Sequence, residues 1–458
     1  MQLVAYGAQD IYLTGNPQIT FFKVVYRRHT NFSMEYLKQS STGGNTTKTW
    51  TISRNGDLIL DMFLENMGNL SNITMNMESD VLDFPSASYD YLITNLMNAK
   101  LRYTLEIGGQ TIDRFSERYR NIHNGLFEFN PTNESSIINT QRMKQVGIFN
   151  MPFWFCRNPG CALPLIALQY HEVKFIMDGF DTYKQKIQDI FSLAYKTNPD
   201  LTVPSTRPPT DTDIAAAYEL DPELWVTYVY LDTDERRRFA QVSHEYLIEQ
   251  IQTYSGKLEN NVELNFNHPV KELMWIFTNS DSQVYNQAPV REKIMTSFLN
   301  VWGKHDTIGL QLNGQDRFTP RHPTYFNCWQ VDRYHTGYGN MFTNNNDYTY
   351  GRNNNLAALT GQLVSDPENK EPNLNVLSLN RGGGNIFVYS FALKPEEHQP
   401  SGTCNFSRID NAVMNFNFQN KINVDDDNYG LWQNVEIYAK NYNVLRIMSG
   451  MGGLAYSN

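Results

Sequence analysis

Short runs of β-branched and aromatic residues, separated by turn dipeptides, recur along the whole chain. They occupy residues 49–52, 58–63, 101–107, 165–177, 225–231, 273–277, 386–393 and 435–438. Such residues fit a pleated, half-buried surface, and Asn-Gly or Gly-Gly pairs supply the positive φ that tight hairpins require. Asn55-Gly56, Gly108-Gly109 and Asn313-Gly314 are pairs of this kind. Few windows keep a helical apolar period; residues 237–253 and 183–195 are the better ones. The constraint is a mainly β architecture with short helical inserts, in which each strand needs a neighbour to satisfy its backbone groups.

A chain of 458 residues exceeds what one hydrophobic core usually supports, so two domains are expected. The Pro- and Thr-rich stretch 198–213, NPDLTVPSTRPPTDTD, has the composition of an extended connector and falls near the middle. An internal echo supports duplication. Phe155, Pro159 and Pro164 recur as Phe391, Pro395 and Pro400, each 236 positions further on (155 to 391, 159 to 395, 164 to 400). Within the second half, NNNDYTYGRNNN at 344–355 begins a polar stretch running to Pro372, read as a long exposed loop.

Charge narrows the function classes. A formal net charge of -10, with charged residues at only 19%, argues against coating nucleic acid, because phosphate binding rests on clustered Lys and Arg. The aromatic share of 13% suits extensive packed and contact surfaces rather than a disordered tail. No apolar stretch approaches the roughly 20 residues that span a bilayer. The first residues, MQLVAYGAQD, lack the basic start of a secretory leader, so secretion is not expected. Four cysteines, at 156, 161, 328 and 404, are too sparse for a disulfide scaffold and are expected as free thiols.

No catalytic constellation is complete. His171-Glu172 and His244-Glu245 each resemble half of a zinc-protease motif, but Phe175 and Ile248 stand where the second His belongs. Cys156 and Cys161 lack a second ligand pair. Gly382-Gly383-Gly384 precedes a strand pattern rather than a helix, so it lacks the helix amino terminus that holds phosphate. Asp232, Asp234 and Glu235 alternate with Arg236, Arg237 and Arg238, a pattern of solvated ion pairs or a helix start more than of paired glycosidase acids. Neither a metal nor a cofactor is expected.

Near the amino terminus, Ile11, Leu13, Ile19, Phe21 and Phe22 provide apolar anchors, and Lys23, Arg27 and Arg28 add basic charge. Gly7, Gly15 and Pro17 break any single continuous element there. The segment is expected as an assembly arm, anchored by its apolar residues and steered by its basic ones.

The stretch GAQDIYLTGNPQITFFKVVYRRHTNF from Gly7 closely resembles the opening of the major capsid proteins of nucleocytoplasmic large DNA viruses. Further blocks of the same resemblance are LPLIALQYHEV from Leu163, YLDTDERRRFA from Tyr230, NHPVKELMW from Asn267 and SFALKPEEHQPSGTCNFSRIDN from Ser390. The resemblance implies two consecutive eight-stranded antiparallel jelly rolls and a structural role without catalysis. It further implies three copies in a pseudo-hexagonal capsomer of an icosahedral shell. The expected organisation is an arm at 1–30, a first jelly roll at 31–205, a linker at 206–220, and a second jelly roll at 221–458 with its long loop near 340–375. Expected partners are further copies of the chain as homotrimer and neighbouring capsomers, minor capsid proteins, and an inner viral membrane reached through the amino-terminal side. No direct contact with nucleic acid is expected, and assembly is placed in the host cytoplasm. A jelly-roll carbohydrate-processing enzyme and a glycan-binding module are the alternatives; both require a convergent polar pocket.

Overall fold

The computed structural model describes residues 30–67, 101–127, 148–185, 221–278, 305–337, 339, 386–418 and 434–456. The expected arm up to residue 29, the 206–220 linker, the 340–375 loop and the triple glycine lie outside the described residues.

The first set of strands comprises β1 (Phe32–Gln39), β2 (Ser41–Gly43), β3 (Thr47–Thr51), β4 (Leu58–Glu65), β5 (Arg102–Ile107), β6 (Gln110–Ser116), β7 (Phe149–Asn150), β8 (Leu163–Pro164), β9 (Val173–Asp178) and β10 (Glu223–Leu231). They form two sheets, β1-β10-β4-β7 with β8 on β4, and β2-β3-β9-β5-β6. The second set comprises β11 (His244–Lys257), β12 (Asn261–Glu263), β13 (Pro269–Thr278), β14 (Thr307–Leu312), β15 (Gln315–Asp316), β16 (Phe387–Ser390), β17 (Cys404–Asn405), β18 (Ala412–Asn417), β19 (Asn434–Met448) and β20 (Met451–Leu454). These also form two sheets, β11-β19-β13-β16 with β17 on β13 and β20 on β19, and β12-β18-β14-β15.

The two sets repeat one another. β1, β10, β4, β7 and β8 hold the same places as β11, β19, β13, β16 and β17, and β3-β9-β5-β6 matches β12-β18-β14-β15. A helix follows the hairpin in each: α1 (Glu117–Phe127) after β6, and a π-turn leading into a short helix, Tyr325–Trp329 and Gln330–Tyr334, after β15. Of the Phe-Pro-Pro echo, Phe155 and Pro159 lie between β7 and β8 and Pro164 ends β8, while Phe391, Pro395 and Pro400 all lie between β16 and β17. Each half is a sandwich whose strands alternate. In β9 Val173, Phe175 and Met177 are buried and their neighbours half-buried; in β18 Ala412, Met414 and Phe416 point inward in the same way. Trp50, Tyr103 and Phe175 fill the first core, while Trp275, Phe277, Ile308 and Phe416 fill the second.

Two of the three turn pairs close hairpins. Gly108 and Gly109 at φ 60° and 82° join β5 to β6, and Asn313 and Gly314 at φ 52° and 76° join β14 to β15. Asn55-Gly56 instead links β3 to β4, which lie in different sheets. Gly108 is needed for space as well, since a Cβ there would lie 2.3 Å from the His171 ring.

Three expectations are corrected. A second jelly roll beginning at 221 would contain β10, yet β10 pairs only with β1 and β4, so it completes the first sandwich and the hand-over comes after Leu231. The helix expected at 237–253 is a helix only at Thr233–Gln241 (α2), capped by Asp232, whose side chain accepts from Thr233 N; from His244 the chain is strand. The strand expected at 165–177 starts as a 3-10 turn, Leu165–Ala167, and becomes β9 only at Val173. Of the helix window 183–195, residues 183–185 are helical and the remainder lies outside the described residues.

Candidate functional site: the junction between the sandwiches

β13 and β19 put apolar side chains on both faces. Leu273, Trp275, Ile437 and Ala439 enter the second core, whereas Met274, Ile276 and Tyr438 join the cluster of the first sandwich. One face of the second sandwich is therefore packed on the first. β11 runs along β6, with Gln250 Nε2 donating to the Ile112 carbonyl and Ile251 N donating to Asp113 Oδ1 at 3.3 Å. Tyr119 of α1 meets Tyr438 with ring centroids 5.6 Å apart, and Arg118 pairs with Glu436.

The second sandwich also caps α1. Gly339 N, Gly337 N and Thr336 Oγ1 donate to the carbonyls of Gly125 (3.0 Å), Leu126 (2.8 Å) and Phe127 (3.3 Å), which the end of a helix leaves without partners. The approach is close enough that a Cβ on Gly337 would lie 2.3 Å from the Gly125 oxygen. Gly337→Ala is expected to lower stability by about 1–3 kcal/mol through forced separation of two backbones, read as a shift in denaturant midpoint. An unchanged midpoint would show that the contact is not fixed.

Inside this seam lies a network of buried charge. Glu249 of β11 is held by Lys271 of β13, by Lys440 of β19 at 3.0 Å and by Arg157 of the first sandwich at 3.2 Å. Glu272 faces Lys440 at 3.9 Å and His335 Nε2 at 3.1 Å, and His335 Nδ1 lies 3.3 Å from Glu396. Lys440 and Arg157 both sit over the Phe127 ring, at 4.0 and 4.4 Å. Arg157 Nη2 further donates to the Glu396 carbonyl at 3.1 Å, and Cys161 Sγ lies 3.1 Å from His398 Nε2. The two echoed segments thus meet each other across the seam.

Burial alone would raise the Glu249 carboxyl, but Lys440, Lys271 and Arg157 hold it down to about 2. Burial likewise opposes ionisation of Glu272, and His335 and the two lysines outweigh it. His335 is raised because Glu272 and Glu396 outweigh its desolvation. Lys440 is lowered to about 7 by burial and by Arg157 beside it. Asp113, at the edge of the network, is pushed up to about 7 by burial. Such an arrangement stores electrostatic energy in the relative placement of two sandwiches. Among the described residues no group of three or more His, Cys, Asp or Glu is arranged to hold a metal.

The arm residues Ile11, Leu13, Ile19, Phe21, Phe22, Lys23, Arg27 and Arg28 all lie outside the described residues. The motif fragments have structural partners. His171 Nδ1 lies 2.9 Å from the Gly452 carbonyl oxygen, and His244 Nε2 donates to the Phe239 carbonyl at 2.8 Å near the end of α2. Arg236 pairs with Asp57 at 3.0 Å, and all four cysteines are free. The junction residues Glu249, Lys271, Glu272, His335 and Lys440 were not singled out from sequence; the available signal was charge inside an otherwise apolar strand run, PVKELMWIF from Pro269.

Two family models cover the chain. The "Major capsid protein N-terminus" matches residues 20–232, and the "Large eukaryotic DNA virus major capsid protein" matches 235–360 and 381–453. Their division falls at the same hand-over as the sheets. The major capsid protein of Pyramimonas orientalis virus is 42% identical over 100% of this chain and 99% of its own length, and that of Paramecium bursaria Chlorella virus 1 is 35% identical over the same shares. A quasi-atomic model of the PBCV-1 virus capsid superposes with a TM-score of 0.61 at 30% identity, covering 96% of this chain and 100% of the other. The Faustovirus major capsid protein, at 12% identity and a TM-score of 0.55, shares the fold. With both halves matched over nearly their whole length, the chain belongs to the family of major capsid proteins of large eukaryotic DNA viruses, structural proteins of the virion shell.

Proposed function

We infer that three copies of this chain stand side by side as a pseudo-hexagonal trimeric capsomer, and that such capsomers tile an icosahedral shell. The observation that carries the reading is the repeat: two sandwiches of one strand order, packed on each other through a buried charged seam, supply two near-equivalent blocks per chain. Three chains then furnish six blocks with only three covalent units to assemble. A seam locked by buried, paired charges suits a block that must carry lateral contacts without hinging.

In this reading residues 1–30 form the arm below the capsomer. Ile11, Leu13, Ile19, Phe21 and Phe22 lodge against minor capsid proteins, and Lys23, Arg27 and Arg28 meet acidic groups of those partners or of an inner viral membrane. Assembly takes place in the host cytoplasm, and the net charge of -10 leaves genome contact to other proteins.

The test is mass in solution together with electron microscopy. The purified chain of 53.0 kDa is expected to scatter light as three copies at micromolar concentration and to image as a six-lobed block. A predominantly monomeric, folded species sinks the reading. Deletion of residues 2–20 is expected to leave melting and trimer mass unchanged while particle yield collapses; undiminished particles would remove the arm from the account.

A further inference from the structure

Asn-Gly occurs three times in the chain, at Asn55, Asn124 and Asn313. The pair is chemically labile as well as turn-forming. Glycine has no side chain to shield its amide nitrogen, which attacks the asparagine Cγ when the backbone bends toward that side chain. The N–Cγ bond forms, the Cγ–Nδ2 bond breaks, and ammonia leaves with the proton from the amide, closing an imide ring. Water then opens the ring at either carbonyl, giving aspartate or isoaspartate. No oxidant or second reactant other than water enters, and the rate rises with pH because the amide nitrogen attacks after losing its proton.

The fold guards two of the three pairs. Asn124 is buried within α1, and its side chain exchanges hydrogen bonds with that of Asn150 at 3.2 and 3.4 Å. Asn313 is exposed, yet its Oδ1 accepts from Asp410 N at 2.9 Å and from Asn411 N at 3.2 Å, so both bonds must break before Gly314 can reach its Cγ. Asn55 is equally exposed, and among the described residues neither its side chain nor the Gly56 amide has a hydrogen-bond partner. The pair lies in the crossover from β3 to β4. Space requires the glycine there, since a Cβ on Gly56 would lie 2.7 Å from Tyr228 Cβ. The packing that seats the crossover on β10 therefore retains the reactive dipeptide.

We propose that Asn55 is a site of spontaneous deamidation in the folded chain, that Asn124 and Asn313 are spared, and that the product loosens the clasp made by Asp57. Asp57 is buried immediately after the pair. Its N donates to the Val229 carbonyl at 3.0 Å, its Oδ2 accepts from Leu231 N at 2.8 Å, and its Oδ1 lies 3.0 Å from Arg236 of α2. The clasp thus ties the crossover to β10 and to the helix that leads into the second sandwich. Isoaspartate carries the main chain through its side-chain carbonyl and so adds one backbone carbon just ahead of Asp57, where four fixed contacts of Gly56 and Asp57 leave no room to absorb it.

The experiment is peptide mapping by mass spectrometry of the purified full-length chain held at mildly alkaline pH, in water enriched in heavy oxygen to mark each newly opened ring, with a urea-unfolded sample in parallel. Folded protein is expected to convert at Asn55 at least about tenfold faster than at Asn313, the factor that two hydrogen bonds impose, and not to convert at Asn124. The unfolded sample should convert all three at comparable rates, which assigns the difference to the fold. Hydrogen exchange at the Leu231 amide is expected to quicken in converted protein and to stay slow in Asn55→Gln protein treated in the same way. An Asn55 that stays intact in the folded chain while the unfolded chain converts, or an Asn313 that converts as fast as Asn55, overturns the assigned site. Equal exchange at Leu231 in converted and Asn55→Gln protein overturns the coupling to Asp57.

Discussion

Replacing Glu249 with leucine is expected to cost about 3–5 kcal/mol of stability, the usual effect of removing one partner from a buried ionic group. Three cations converge on this carboxylate, from β13, from β19 and from the first sandwich. Without it Lys271, at 0% exposure, Lys440, at 3%, and the Arg157 guanidinium lose the carboxylate they share inside the seam. Lys271→Met is expected to cost less, because Glu249 retains Lys440 and Arg157. In the double variant the losses should not add, since the two groups share partners; a coupling of roughly 0.5–3 kcal/mol is expected. Denaturant midpoints of the four proteins measure it. A loss below about 1 kcal/mol for Glu249→Leu would mean that water enters and screens the seam, leaving surface-like pairs.

How much of this was legible in the sequence depends on how local each signal is. The hairpin turns at Gly108-Gly109 and Asn313-Gly314 were, because the pairs that admit positive φ are adjacent in the chain. The duplication was legible from three matched positions, and the structure puts the echoed segments in equivalent loops. β11 was not. Its central residues Ile248, Glu249 and Gln250 are all buried, since the first sandwich covers the face that a solvated strand would leave polar. Burial on both faces erases the period of two, and the remaining EYLIEQIQ reads as a helix. β10 was assigned to the wrong sandwich for a related reason: the Pro-rich stretch marks a connector in sequence, but sheet membership is decided by hydrogen bonds to β1 and β4, far away in the chain.

The buried network was hidden in the same way. Lys271 and Glu272 are neighbours in sequence with no chemical motif around them, and Glu249, His335, Glu396 and Lys440 lie on separate segments. Only the pairing of β13 with β19, which sets Glu272 opposite Lys440, and of β11 with β19, which sets Ile251 opposite Lys440, brings them together. The family blocks from Asn267 and Ser390 contain Lys271, Glu272 and Glu396, yet resemblance alone assigns them no role. Their role follows from packing one sandwich on another.

The pH dependence of stability should carry the signature of this network. Glu249 has an ordinary value of 4.5 and is held at about 2 in the folded chain. A depressed carboxyl contributes stability that is fully present above the unfolded value and is lost as pH falls through the folded one. The shift corresponds to about 3 kcal/mol at neutral pH, disappearing between roughly pH 4.5 and 2. Glu272 acts in the same direction. His123 adds to the acid limb, since burial keeps its ring neutral while the unfolded chain takes up a proton below 6.5. Asp113 acts with the opposite sign: its native carboxyl, at about 7 against an ordinary 3.8, keeps a proton that the unfolded chain has released. Stability from this group therefore falls as pH rises from 3.8 to 7, by about 4 kcal/mol. His335, raised by Glu272 and Glu396, contributes fully below 6.5 and loses its share as pH climbs through its folded value. Lys440, at about 7 against 10.5, is costly to bury while charged, so its penalty relaxes between 7 and 10.5. Urea midpoints from about pH 2.5 to 8 are expected to show wild type weakening sharply below 4.5, and Glu249→Gln, already weak at neutral pH, with a shallower acid limb. Asp113→Asn keeps an acceptor for Ile251 and Arg114 N. It should match wild type near about pH 4 and exceed it increasingly toward about pH 8. Parallel curves for wild type and Asp113→Asn across that range would mean that Asp113 ionises as in water, and that the seam beside β6 is wet.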